Sequence, residues 1–310
     1  MKNTHNILLT IDVEDWFQVE NLRPWFPAHQ WEAQPFRAEH NTNRLLDLFD
    51  SFNYPVKVTF FVLGWIAQRY PELVRRIQAR GHEVASHGHG HLLNYQMDKI
   101  TLQNDLKTSK VILEDIIGAP VLGYRAPNFS ISQEILPTIA AAGYAYDSSY
   151  NSFQRHGRYG TIDTDGRKHY GIAFKADSNL LEVPISNLQL WGQTVPWGGG
   201  GYFRLMPYLL FRMGIKNILK QQTTYVMYLH PWEIDPDQPR VKQAKGQTAF
   251  RHYNNLAKTY PRLRKLIQEF GTCHFKTCSQ YIDQMINVEC LDQHTLLSVK
   301  PNNDLVHVGL

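Results

Sequence analysis

The first hydrophobic run of the chain, Ile7-Leu8-Leu9-Thr10-Ile11, leads directly into three acids, Asp12, Glu14 and Asp15. A later apolar segment ends in Ser86-His87-Gly88-His89-Gly90-His91. Carboxylates and imidazoles at the ends of core strands are costly to bury without partners. Together they form the donor set of a catalytic metal site. His87 and His91 stand four residues apart; on a short helical turn both rings would lie on one face and could share a cation. Two histidines and one carboxylate would leave a coordination position open for water, as in hydrolytic zinc sites. His89 should point away. A solvated His/Gly loop is the plain alternative to ligation.

The elements that must position these groups alternate with a regular beat. Strand-like segments are expected at Ile7–Ile11, Val56–Val62, His82–Ser86, Val121–Tyr124 and from Tyr144 to Tyr146, then at Leu180–Ile185 and Thr224–Leu229. Helical spacing runs through Asn41–Phe52, from Pro71 to a stop at Gly81, through Asp98–Ile117 to Gly118, and through Glu134–Ala142 to Gly143. Further helices are expected at 205–219, 260–270 and 279–288, and residues 149–179 read as a long excursion or small β insertion. This alternation implies βαβ units and a parallel sheet or barrel. The expected organisation is one domain over 1–290, elaborated over about 205–290, with a polar tail at 291–310.

In parallel α/β folds reactive residues collect where strands end. Beyond the acids and histidines already named, the strand ends here carry Tyr124-Arg125-Ala126-Pro127-Asn128, Asp147-Ser148-Ser149, Glu182-Val183-Pro184 and His230-Pro231-Trp232-Glu233. Trp16, Phe17, Trp191, Trp197, Tyr202 and Trp232 lie near such ends and suit the apolar faces of sugars; ordinary core packing is the competing reading. Trp191, Trp197, Trp232 and Asp147 are candidate substrate contacts, while Glu182 reads as structural. The run Gly198–Gly201 lacks the spacing and the following Lys-Ser/Thr of a phosphate loop.

Bulk properties exclude several classes. With 43% hydrophobic and 12% aromatic residues the chain is globular, and 32 basic against 28 acidic residues give a net charge of only +4. No basic stripe suggests nucleic-acid binding. Cys273, Cys278 and Cys290 lack both disulfide-framework and metal-site spacing. No apolar stretch is long enough to cross a bilayer and no apolar signal region precedes the first strand, so a cytoplasmic location is expected.

These motifs together resemble the polysaccharide deacetylase family, also called the NodB-homology or carbohydrate esterase family 4 fold. Thr10-Ile11-Asp12-Val13-Glu14-Asp15 is similar to its first motif, His87-Gly88-His89-Gly90-His91 to its second, Arg125-Ala126-Pro127-Asn128 to its third and Leu229-His230-Pro231 to its last. The resemblance covers about residues 5–285, and the Asp-Val-Glu-Asp-Trp-Phe variant looks most like the subgroup found beside exopolysaccharide and exosortase loci. It implies an α/β fold, a distorted (β/α) barrel of about seven parallel strands. It also implies hydrolysis of an N-acetyl or O-acetyl group on a sugar, with a divalent metal, usually zinc.

By the resemblance, Asp12 matches the catalytic base, His87 and His91 the metal histidines, and Arg125 the arginine that orients the base. His230 matches the general acid, and Asn128 the position whose backbone N–H helps hold an oxyanion. The family often pairs two adjacent aspartates, but Val13 follows Asp12 here, so the metal carboxylate must come from Glu14 or Asp15. The Asp-x-acid spacing of cytoplasmic-type relatives favours Glu14, with Asp15 in reserve. The expected partner is an acetylated oligo- or polysaccharide: a lipid-linked or nucleotide-linked intermediate, or the nascent chain. Two other readings compete: an allantoinase-like cyclic amidase, and a non-catalytic glycan-binding protein on the same fold. Retention of Asp12, Arg125 and His230 together argues against the last, since binding alone needs no acid–base pair.

Overall fold

The run that opens the chain becomes β1 (Asn6–Val13), whose eight residues are all buried, as expected of a strand flanked on both faces. The computed structural model describes residues 5–153 and 159–298. The strands that follow are β2 (Thr59–Val62), β3 (Glu83–Ser86), β4 (Gly123–Tyr124), β5 (Tyr146–Asp147), β6 (His169–Tyr170), β7 (Ala173–Asp177), β8 (Leu180–Glu182), β9 (Asn187–Leu190), β10 (Gln193–Pro196), β11 (Thr224–Leu229) and β12 (His274–Phe275). The helices are α1 (Ala38–Asp50), α2 (Gly64–Arg69), α3 (Pro71–Ala79), α4 (Lys99–Ile117), α5 (Leu136–Ala141), α6 (Gly200–Leu205), α7 (Tyr208–Gln222), α8 (Gly246–Tyr253), α9 (Leu256–Glu269) and α10 (Cys278–Ser298).

The main sheet runs β11-β1-β2-β3-β4-β5-β8-β7-β6. Every pairing from β11 through to β8 is parallel, and β7 and β6 continue the sheet antiparallel. The chain beyond β8 then turns back to the first strand of that order. Ser186 N–H donates to Val226 O at 3.3 Å, Val226 N–H donates to Ser186 Oγ at 2.9 Å, and Tyr228 N–H donates to Gly198 O at 2.8 Å. The parallel strands therefore curl into a distorted barrel, as the α/β reading anticipates.

Local sequence explains the principal boundaries. The Asp98 carboxylate accepts from Thr101 N at the start of α4, and Gly118 ends that helix at φ 64°, the left-handed conformation glycine supplies at least cost. Leu102, Leu106 and Leu113 put its apolar face on the core. The helix expected over 205–219 starts only after Pro207, as α7, because a proline holds the preceding residue extended; Met206 has ψ 149° and separates it from the short α6. The His87–His91 segment is a loop, not a helical turn: Gly88 at φ 73° and His91 at φ 52° break any helix. Of the expected tail, 291–298 continue α10 and 299–310 lie outside the described residues.

Candidate functional site

Glu14, His87 and His91 come from the ends of β1 and β3, all three are buried, and their donor atoms lie within 4.8 Å of one another. Local structure holds each one. The Asp105 carboxylate on α4 accepts from His89 N and Gly90 N at 2.9 and 3.2 Å, which shapes the loop carrying both histidines. His89 itself turns away and packs against Gly64. His87 Nδ1 is 2.8 Å from Arg125 O. A carbonyl can only accept, so Nδ1 carries the proton and Nε2 presents its lone pair to the cluster. Burial keeps that imidazole neutral, with its pKa down at about 4. His91 Nε2 is 2.6 Å from Glu14 Oε2. Burial alone would raise the Glu14 pKa, but His91 and His230 outweigh it and bring it to about 2.

Two neutralisable imidazoles and an ionised carboxylate, buried and convergent, fit a divalent metal. The Glu14 Oε2 and His91 Nδ1 atoms are buried and lack a well-directed hydrogen bond, a costly condition unless a cation shares the site. Asp15 is not the alternative ligand. Its oxygens accept from Trp16 N at 2.7 Å, Arg37 N at 2.6 Å and Ala38 N at 2.7 Å, so it caps the start of α1.

Asp12 stands beside this cluster, fully ordered by Arg125. The Arg125 guanidinium has no solvent exposure. It donates to Asp12 Oδ1 at 2.7 Å, Thr10 Oγ1 at 2.6 Å, Ser148 O at 2.9 Å and Ser148 Oγ at 2.8 Å, and lies 4.0 Å over the Phe61 ring. On the other side His230 Nε2 is 3.2 Å from Glu14 Oε1 and 3.9 Å from Asp12 Oδ2. Its Nδ1 is 2.8 Å from Glu233 Oε1, and Glu233 Oε2 accepts from Arg204 Nε at 2.7 Å. Nδ1 is thereby fixed as a donor, and Nε2 is the atom left to hold or release a proton. Burial opposes the imidazolium, but Glu14, Glu233 and Asp12 raise its pKa to about 9.

The site opens into a cavity of about 270 Å³ lined by Asp12, Glu14, His87, His91, His230 and Trp232, with Asn128 at φ 50° in its wall. Trp232 lies between His230 and His252 in a stack, with ring centroids 5.3 and 4.4 Å away. The other expected substrate contacts stand apart from the cavity. Trp197 is buried, donates Nε1–H to Phe211 O at 2.8 Å and stacks on Phe211, so it belongs to the core. Trp191 is 98% exposed at the tip of the β9–β10 hairpin. Asp147 is buried beneath the site. Burial raises its pKa, and burial with Asp147 beside it raises that of Glu182. Trp16 and Phe17 pack with Leu22 and Trp31.

Sequence reading missed Glu233 and Arg204. Glu233 had a legible signal, a His-x-x-Glu spacing that lets its side chain reach back to His230. Arg204 had none, because it arrives from α6 across the barrel mouth. The glycine run leads into the start of α6 and is closely packed over Gly198–Gly200: a Cβ on Gly200 would meet Glu233 Oε1 at 2.2 Å.

Fold and site together define a class of protein. Residues 28–146 match the polysaccharide deacetylase family model, and the chain carries a polysaccharide deacetylase domain. Residues 148–283 match a second model, a domain of unknown function (DUF3473). The first stretch contains His87, His91 and Arg125; Asp12 and Glu14 precede it and His230 falls in the second.

Among curated relatives, the peptidoglycan-N-acetylglucosamine deacetylase of Bacillus cereus is 33% identical over 103 residues, 33% of this chain and 47% of that protein. The peptidoglycan deacetylase of Helicobacter pylori is 27% identical over 187 residues, 54% of this chain and 62% of that protein. A chitin deacetylase of Pestalotiopsis is 32% identical over 151 residues, 48% and 44% of the two. The chain thus spans less than two thirds of the length of these relatives. Among solved structures, a putative polysaccharide deacetylase from Mycobacterium smegmatis aligns with a TM-score of 0.61 at 21% identity, covering 99% of this chain and 95% of that one. An allantoinase aligns with a TM-score of 0.58 at 15% identity, covering 91% and 90%. Both share the fold.

Proposed function

We propose that the chain is a metal-dependent hydrolase that removes N-acetyl or O-acetyl groups from a sugar in cell-surface or exopolysaccharide synthesis. The observation that carries this reading is the convergence, in one cavity, of the Glu14–His87–His91 triad with Asp12–Arg125 on one side and His230–Glu233 on the other. Glu14, His87 and His91 would hold the metal, with zinc the best match to two imidazoles and a carboxylate. Bound there, it would supply Lewis acidity for an acetyl carbonyl and for an attacking water. Asp12, aimed by the Arg125 guanidinium 2.7 Å from its Oδ1, takes the proton of that water. His230 Nε2 gives a proton to the departing amine, and Glu233 holds the ring for that transfer. Asn128, in the cavity wall, would offer its backbone N–H to the developing oxyanion.

We place the reaction in the cytoplasm, on a lipid-linked or nucleotide-linked sugar or the nascent chain; cell fractionation with acetylated-intermediate analysis tests that. No described helix is long and apolar enough to cross a membrane. The cyclic-amidase reading keeps the support of the shared allantoinase fold alone. The deciding experiment measures metal content together with acetate release from N-acetylglucosamine oligomers. Acetate release that stops with chelator and returns with zinc is expected. Ureide hydrolysis without acetate from any sugar would overturn the proposal.

A further inference from the structure

The acids that line the cavity are all matched: Asp12 by Arg125, Glu14 by His91 and His230, Glu20 by Arg23, and Glu233 by Arg204. Arg204 is consumed in turn, since it also donates to the carbonyls of Arg251, His252 and Asn254 at 2.8–3.0 Å. Arg251 is the exception. It lines the same cavity from the last turn of α8, and among the described residues no carboxylate pairs with its guanidinium. Its backbone is nonetheless anchored, because the Arg204 bond to Arg251 O ties it to the Glu233–His230 pair. Tyr202, half-buried in that wall, feels its charge.

The surroundings have the same sign. Over residues 236–252 the charged groups are Arg240, Lys242, Lys245 and Arg251 against Asp237 alone. Arg240 lies 4.3 Å over the Tyr253 ring, behind the His252 wall. An exposed guanidinium carried on an anchored backbone at a concave site, with no counter-ion among the described residues, is suited to a bidentate anionic oxygen group. We propose that Arg251 binds such a group on the substrate, a phosphate ester or a uronate carboxylate, on or beside the sugar that carries the acetyl group. This rests on the deacetylase reading and names its substrate class.

The test compares kcat/KM of the zinc-loaded full chain on N-acetylglucosamine 1-phosphate, on an acetylated disaccharide containing glucuronate, and on neutral di-N-acetylchitobiose. The wild type should prefer one of the anionic probes, and which one separates phosphate from carboxylate. R251Q should lower the anionic-to-neutral ratio at least tenfold, mainly through KM, with partial recovery in R251K. The distant exposed K175Q, which removes the same charge, should keep the wild-type ratio. Equal losses on both kinds of substrate in R251Q, or a wild-type preference for the neutral probe, would overturn the inference. Absence of acetate from all three would overturn the deacetylase reading beneath it.

Discussion

The pair Asp12–Arg125 offers the most direct test of how the site is built. Both side chains are essentially sealed from solvent, at 3% and 0% exposure, and 2.7 Å apart. Removing one member of a buried ion pair strands the other and costs about 3–5 kcal/mol, a large share of a typical total of about 5–15 kcal/mol. Arg125→Met also strips donors from Thr10 Oγ1 and Ser148, which puts it at the upper end of that range. Asp12→Asn strands the cation instead. The double variant strands neither charge of the pair, so it should recover at least about 2 kcal/mol relative to the sum of the singles. Urea denaturation of the chelator-treated protein, followed by circular dichroism, measures all three. Activity should behave differently: with the proposed base gone or misaimed, each variant should lose about 10²–10⁴-fold in acetate release. Stability losses additive to within about 0.5 kcal/mol, or near-normal turnover in Arg125→Met, would refute the account.

Glu14→Gln should abolish stoichiometric metal binding, measured by elemental analysis, whereas Asp15→Asn should retain the metal and lose about 1–2 kcal/mol through the weakened start of α1. His82 is buried with neither ring nitrogen hydrogen-bonded, and burial chiefly holds its pKa at about 4 against an ordinary 6.5. The unfolded chain takes up that proton first, so stability is full above about pH 6.5 and falls by roughly 3 kcal/mol towards pH 4; His82→Leu should flatten that slope in thermal melts. Trp191→Ala should leave stability within about 0.5 kcal/mol and turnover unchanged, whereas Trp232→Ala, which removes the ring between His230 and His252, should reduce kcat.

The parts of the site read from sequence were those fixed by strand ends. Asp12, Glu14, His87, His91, Arg125 and His230 sit where an apolar run meets a polar cluster, and the parallel alternation of strands sends such points to one face. Asp15 stayed in reserve behind Glu14 because the two are adjacent; what separates them is the start of α1, more than twenty residues away in sequence, a long-range contact with no local signature. Trp191 and Trp197 stand apart from the cavity for the same reason, while Trp232 lines it. Residue type records that a ring is large and apolar, while the neighbours that make Trp197 core and Trp191 solvent-facing come from α7 and a hairpin tip.

The two family models meet at Asp147, the last residue of β5. Catalogues of modules would place a cut there, yet the hydrogen-bonding ladder runs straight across it, from β4 through β5 to β8. A polypeptide ending at the cut would expose the flank of β1 that β11 covers and would lack His230. One beginning there would hold the proposed acid without the proposed base or the candidate metal triad. Recombination of this gene with a relative at the apparent border would therefore yield an unfinished sheet, and only exchanges that keep both stretches matched to one another preserve a working centre.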